Sequence, residues 1–146
     1  MTMEWREQQL TTPRAGLLRP PNRVAGLLIG VYTFLWGAQV GNPWSITFGS
    51  NKNPNSPVAE TYSYMLSLAP EYVWGIAAMI LGACIVFAFL KVSAVWTARA
   101  MLLSYAWWQS VGIFHLIGAP FGVSFITCFC LAAYSMYYAL VVRIKS

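Results

Sequence analysis

Four long apolar segments limit how this 146-residue chain can fold. Each is about 18 to 21 residues long, close to the roughly 20 residues that an α-helix needs to cross the hydrocarbon of a bilayer. The chain is 58% hydrophobic and 9% charged, whereas about a quarter of the residues in a soluble domain are charged. We therefore predict an all-α membrane protein, a bundle of four transmembrane helices with spans at 24–41, 72–90, 100–117 and 122–142.

Basic residues flank these spans in three clusters, which predict the direction of each crossing. The positive-inside rule places such clusters in the cytoplasm, and four crossings bring all three to one side. We therefore predict that both termini are cytoplasmic, and we attribute the net charge of +5 to span orientation rather than to nucleic-acid binding. The clusters are Arg14, Arg19 and Arg23 before span 1, Lys91 and Arg99 between spans 2 and 3, and Arg143 and Lys145 after span 4.

Little of the chain is left for a module outside the membrane. Residues 1–23 are predicted to form a basic, polar, cytoplasmic arm, residues 24–142 the transmembrane domain, and residues 143–146 a basic tail. The arm holds four arginines and no apolar stretch typical of a cleavable signal, so we expect span 1 to act as its own signal-anchor. These features are typical of a multi-pass protein of the bacterial inner membrane.

The predicted outer loop at 42–71 is the only long connection between spans. Ser56 followed by Pro57 is typical of a helix N-cap and first helical residue, and Pro70 ends the segment. Apolar residues recur at helical spacing between the two prolines, which predicts a short amphipathic helix on the outer membrane surface. Glu71 then falls in the first turn of span 2, where its carboxylate is either a helix cap favoured by the dipole or a contact for an ion or partner.

Small residues form stripes along two of the spans. Helices in lipid gain dispersion contacts by close backbone approach, because no hydrophobic drive pushes them together, and small residues spaced four apart allow that approach. The stripes are interpreted either as packing surfaces within one chain or as surfaces for another subunit. Their members are Gly26, Gly30, Gly37 and Gly41 on span 1, and Ser124, Cys128 and Ala132 on span 4.

Polar residues within the spans are few. The chain contains no aspartate, and no glutamate lies inside a span, whereas proton relays and ion-coupled transporters use such groups. Gln109, near the middle of span 3, is predicted to form an interhelical hydrogen bond. His115 lies toward the outer end of that span and is predicted to be an interfacial histidine whose hydrogen bonds are satisfied. The alternative, a haem or metal ligand, would need partners, because it is the only histidine.

The positions of the three cysteines indicate packing roles and not a reactive site. Cys84 lies within span 2, and Cys128 and Cys130 lie about 200° apart around the axis of span 4, so they cannot bind one ion or form a disulfide with each other. We therefore predict no catalytic residue, no metal site and no cofactor. Trp107 and Trp108, near mid-depth, either pack in the bundle or line a groove for lipid or quinone.

The segment at 69–82, APEYVWGIAAMILG, together with Lys91, Arg99 and the Trp107-Trp108 pair, carries a family resemblance. It resembles the small four-span membrane proteins encoded by tailed bacteriophages and prophages, in which a surface segment leads into an A-P-E-x-x-W-G start of span 2. The resemblance implies the four-span topology and a holin-like or host-envelope setting. It implies no functional residue.

Three functions stay open from the sequence. The first is a non-enzymatic accessory or assembly subunit that associates with copies of itself or with other membrane subunits in the bilayer. The second is a holin-like protein that permeabilises the membrane. The third is a small transporter or a lipid- or quinone-binding protein, which the lack of internal repeats and of charge at mid-span disfavours.

Overall fold

The structure is a computed structural model that describes residues 20–42, 65–91, 93–118 and 124–144. All regular structure in these ranges is helical, which confirms the predicted all-α fold for this part of the chain. Residues 65–68, which precede the second long helix, are also helical. The long helices are α1 Pro20–Val40, α2 Glu71–Leu90, α3 Ala94–Gly118 and α4 Ser124–Ile144.

Three of these helices contain stretches that are long and apolar enough to cross a membrane, namely Asn22–Val40, Glu71–Leu90 and Ser124–Val141. Helix α3 has 25 residues and is therefore also long enough. It does not contain an equally apolar stretch, because Arg99, Gln109 and His115 lie among its apolar side chains. Crossing by α3 thus stays a prediction.

Two helices begin earlier than the apolar segments that predicted them. Helix α1 starts at Pro20, within the stretch assigned to the polar arm, and α3 starts at Ala94, so that Arg99 lies inside the helix. The reason is that apolar composition marks the hydrocarbon layer, whereas a helix continues into the interface until its capping signals end it. Residues 1–19, 43–64 and 119–123 and Lys145 lie outside the described residues, and with them most of the predicted surface helix.

Helices α1 and α2 form a closely packed antiparallel hairpin. A Cβ atom at Gly37 would lie only 2.6 Å from the carbonyl oxygen of Gly75 and 2.7 Å from the backbone nitrogen of Met79. A Cβ at Gly82 would lie 2.6 Å from the carbonyl oxygen of Gly30. Backbone therefore touches backbone along this interface, and the stripe on α1 faces α2 of the same chain.

Helices α3 and α4 form a second hairpin, which is joined by a buried polar contact. The hydroxyl oxygens of Ser104 and Ser135 lie 3.0 Å apart, and both residues are fully buried. Farther along, Gly112 contacts the ring of Phe129, and Cys128 and Ala132 are buried between the helices. The stripe predicted on span 4 therefore also contributes to packing within the chain, except that Ser124 is exposed.

The two hairpins meet so that both ends of the bundle have a buried core. At one end the ring of Phe89 lies 5.3 Å from the ring of Tyr138, next to Gly26 of α1 and Met101 of α3. At the other end Met65 packs against Val40, Trp108 and Val111. Helices α2 and α3 contact each other far less than the partners within each hairpin, and this leaves a groove between them.

The close approach of α1 and α2 predicts that Gly37→Ala destabilises the protein by about 1 to 3 kcal/mol, because the added methyl group must push two backbones apart. The matched control is Gly41→Ala, whose Cβ would come no closer to α2 than 3.5 Å, at the Cα of Gly75, and would lie 3.1 Å from the carbonyl oxygen of Gly37 in its own helical turn. Unfolding in mild detergent, titrated with a denaturing detergent and followed by circular dichroism, measures both. Equal stability of the two variants would contradict the packing.

Candidate functional site: an aromatic junction and a groove between α2 and α3

Six aromatic side chains from three helices converge at the end of the bundle that holds Val40 and Met65. We call this group the aromatic junction. Its rings lie 5.6 to 6.2 Å apart, centre to centre, in tilted and edge-on pairs, which is the range that aromatic pairs prefer. The junction therefore ties the α1–α2 hairpin to α3. It consists of Tyr32, Trp36, Trp74, Trp107, Trp108 and Phe114.

Trp108 occupies the centre of the junction and is 1% exposed. Its indole Nε1 donates a hydrogen bond to the hydroxyl oxygen of Thr33, at 3.2 Å. The Thr33 hydroxyl in turn donates to the carbonyl oxygen of Ile29, at 2.8 Å. This chain of two hydrogen bonds satisfies the buried indole and links α3 to α1, so Trp108 belongs to the core and not to a groove wall.

Trp74 connects the helical residues 65–68 to α2. Its Nε1 lies 3.0 Å from the carbonyl oxygen of Met65 and 3.2 Å from that of Ala69, and it donates to these oxygens. The indole thereby fixes the segment that leads into α2, and Met65 is fully buried. Trp107 differs, because its Nε1 is shielded from solvent and has no hydrogen-bond partner among the described residues.

The structure places the three polar residues that the sequence singled out, two on α3 and one on α2. His115 is buried, and its Nδ1 lies 2.8 Å from the carbonyl oxygen of Val111, one turn earlier in the same helix. Gln109 is half-buried, and no hydrogen bond of its side chain to another helix is found within the described ranges. Glu71 is the first residue of α2, where the positive end of the helix dipole favours a carboxylate.

Metal-ligating side chains do not gather in the described part of the chain. No group of three or more histidine, cysteine, aspartate or glutamate residues is close enough there to hold a metal ion. Cys84 and Cys130 are exposed, and Cys128 is buried. These positions agree with packing and surface roles for the thiols, while the absence of catalytic, metal and cofactor sites in the whole protein stays a prediction.

The groove between α2 and α3 has two halves that meet at Cys84 and Leu103. The aromatic half has a volume of about 540 Å³ and the basic half one of about 570 Å³, and both are open at the surface. Such volumes lie within the range of small-molecule sites. Apolar side chains line nearly all of both halves. The aromatic half is bounded by Trp74, Ile80, Ala106, Trp107 and Phe114, and the basic half by Phe87, Lys91, Trp96, Arg99 and Ala100.

Comparison with known proteins gave no match to a family model, a curated protein or a solved structure. The resemblance to phage-encoded four-span proteins therefore rests on the segment at 69–82 with Lys91, Arg99 and the Trp107-Trp108 pair, and it stays a prediction. The described structure gives residues of that segment a local role. Glu71 begins α2, and Trp74 binds the preceding turn.

Two parts of the site were not predicted from the sequence. Tryptophan near the end of a span is typically an anchor at the membrane interface, whereas the structure places Trp36 and Trp74 in the aromatic junction. The basic half of the groove was also missed, although Trp96 lies between Lys91 and Arg99 in the sequence. A basic–aromatic–basic pattern at the junction of two apolar segments was the available signal.

The bond between Trp108 and Thr33 predicts a measurable coupling between the hairpins. Thr33→Val removes the acceptor and keeps the shape, and Trp108→Phe removes the donor, so a double-mutant cycle isolates the bond. We expect a coupling of about 0.6 to 2 kcal/mol in unfolding experiments, which is the usual range for interhelical hydrogen bonds in membranes. Ser110→Ala is the control, since the exposed Ser110 hydroxyl donates only within its own helix. A coupling near zero would show that ring packing alone joins the hairpins.

Proposed function

We propose that this protein is a non-enzymatic, four-span membrane protein that acts as an assembly or accessory subunit of a membrane complex. The observation that carries the proposal is an exposed apolar seam on α4. Its residues are spaced four, three, four and three apart, as in the contact seam of paired helices, and small side chains at its centre permit close approach. The α4 seam consists of Ile126, Cys130, Ala133, Tyr137 and Leu140.

The interior of the bundle supports a role in binding rather than in chemistry. The buried hydroxyl groups of Thr33, Ser104 and Ser135 are used in hydrogen bonds within the chain. The glycine stripe of α1 is used against α2. Surfaces that are already filled cannot bind another subunit, whereas the α4 seam is exposed and is the surface that we propose for association.

Four crossings are supported by the pairing of α3 with α4. Contacts at Ser104 with Ser135, and at Gly112 with Phe129, join the two helices over about two turns. If α4 crosses the bilayer, α3 crosses beside it. Lys91 and Arg99 then lie at the same end of the bundle as Arg23, near Gly26 and Phe89, which agrees with a cytoplasmic location of that end.

Reporter fusions test the four crossings. Green fluorescent protein fluoresces when it folds in the cytoplasm, and alkaline phosphatase is active only outside it, so each is fused in turn to Met1 and to Ser146. With four crossings, both ends give fluorescence and no phosphatase activity. If α3 does not cross, the three remaining crossings place the two ends on opposite sides, and one end gives phosphatase activity.

Native mass spectrometry in mild detergent tests the assembly. We expect masses above one chain, either multiples of it or one chain with stoichiometric foreign subunits. Ala133→Leu on the α4 seam should weaken the association by about tenfold or more, equivalent to about 1.4 kcal/mol, because the larger side chain separates the helices. The matched control is Ala83→Leu, the same change at an exposed position of α2.

Several outcomes would contradict the proposal. A lone monomer at every protein concentration would exclude an assembly role. An equal loss of association in both variants would show that the α4 seam is not the contact. A large ring of identical chains that collapses the membrane potential on expression would instead favour the holin-like function.

A further inference from the structure

We propose that the basic half of the groove between α2 and α3 binds an anionic phospholipid, with the phosphate near Lys91 and Arg99 and an acyl chain along the groove. This lipid site lies apart from the α4 seam and does not depend on the assembly role. Its wall combines two cations at one end with an apolar floor formed by Phe87, Ala100 and Leu103.

The charge at the mouth of the groove selects an anion. Lys91 and Arg99 both line the basic half, and neither forms a salt bridge among the described residues. The only acidic residue in the described ranges is Glu71, which lies at the opposite end of α2. Two cations beside an apolar surface attract anionic lipid headgroups, so electrostatic complementarity favours an anionic lipid over a zwitterionic one.

Aromatic rings hold both cations at the groove. The Lys91 ammonium lies 5.4 Å from the centre of the Phe87 ring, and the Arg99 guanidinium lies 5.6 Å from the Trp96 ring. Both distances permit cation–π attraction. These contacts keep the charged groups at the rim while their aliphatic stems cover apolar surface, and tryptophan is enriched at the headgroup level of membranes.

The length of the groove fits one acyl chain. From Lys91 to Cys84 the helix rises about 10 Å, and the aromatic half continues the apolar wall to Trp74, about 25 Å from Lys91. One leaflet of hydrocarbon is about 15 Å thick. The two halves share Cys84 and Leu103, so the wall extends over the full depth of a leaflet from the two cations.

The test uses the full chain in mild detergent and measures lipid binding by native mass spectrometry. The probes are phosphatidylglycerol and phosphatidylcholine with identical acyl chains. We expect phosphatidylglycerol to bind more tightly, and we expect Lys91→Gln and Arg99→Gln each to weaken it by about fivefold, the contribution of one basic residue near an anionic surface. Phosphatidylcholine binding should change little in these variants.

Matched variants distinguish lipid bound in the groove from nonspecific electrostatic attraction to the basic end of the bundle. Arg23→Gln removes the same charge at the same end of the bundle but does not line the groove, so it should leave phosphatidylglycerol binding nearly unchanged. Leu103→Trp fills the groove and should weaken both lipids, whereas Leu102→Trp, at an exposed position that does not line it, should not. Circular dichroism and the elution volume of each variant establish that it is folded.

Three results would overturn the proposal. Equal affinity for the two lipids in the wild-type protein would exclude headgroup selection. A loss in Arg23→Gln as large as that in Arg99→Gln would show diffuse attraction by the basic end of the bundle. Unchanged binding in folded Leu103→Trp would show that lipid lies elsewhere. None of these results bears on association through the α4 seam.

Discussion

The contact between the backbones of α1 and α2 is the constraint on which the rest of the structure depends. In a bilayer the hydrophobic effect does not drive helices together, so stable association requires many short van der Waals contacts. Gly37, Gly75 and Gly82 supply these contacts because they leave the backbone bare on both sides of the interface. The hairpin then presents Thr33 and Trp36 to α3 from fixed positions.

This arrangement also explains why a groove exists. Helix α2 turns Gly75, Gly82 and Phe89 toward α1, while Phe87 and Ile80 lie on its exposed side. The aromatic junction holds α3 near α2 at one end, and the Thr97 hydroxyl donates to the carbonyl oxygen of Ala88 at the other, at 3.3 Å. Between these two attachments the helices stay apart, and an apolar groove results.

The positions of the polar side chains also bear on function. His115, a candidate ligand from the sequence, is buried and lies within hydrogen-bond distance of a backbone carbonyl oxygen. What the described surface presents is apolar, apart from the cations at one end and a few polar groups. The two proposals, a helix on the α4 seam and a lipid in the groove, therefore concern contacts that two of the described surfaces can make.

The sequence by itself determined the helical fold, the apolar segments and the residues capable of close packing, because helix length and the size of side chains are local properties. It did not determine the partners of the glycine stripe, which only the pairing of α1 with α2 decided. Nor did it determine the aromatic junction or the groove between α2 and α3. These features join residues that are distant along the chain, and their distances depend on how the hairpins dock, which no local pattern encodes.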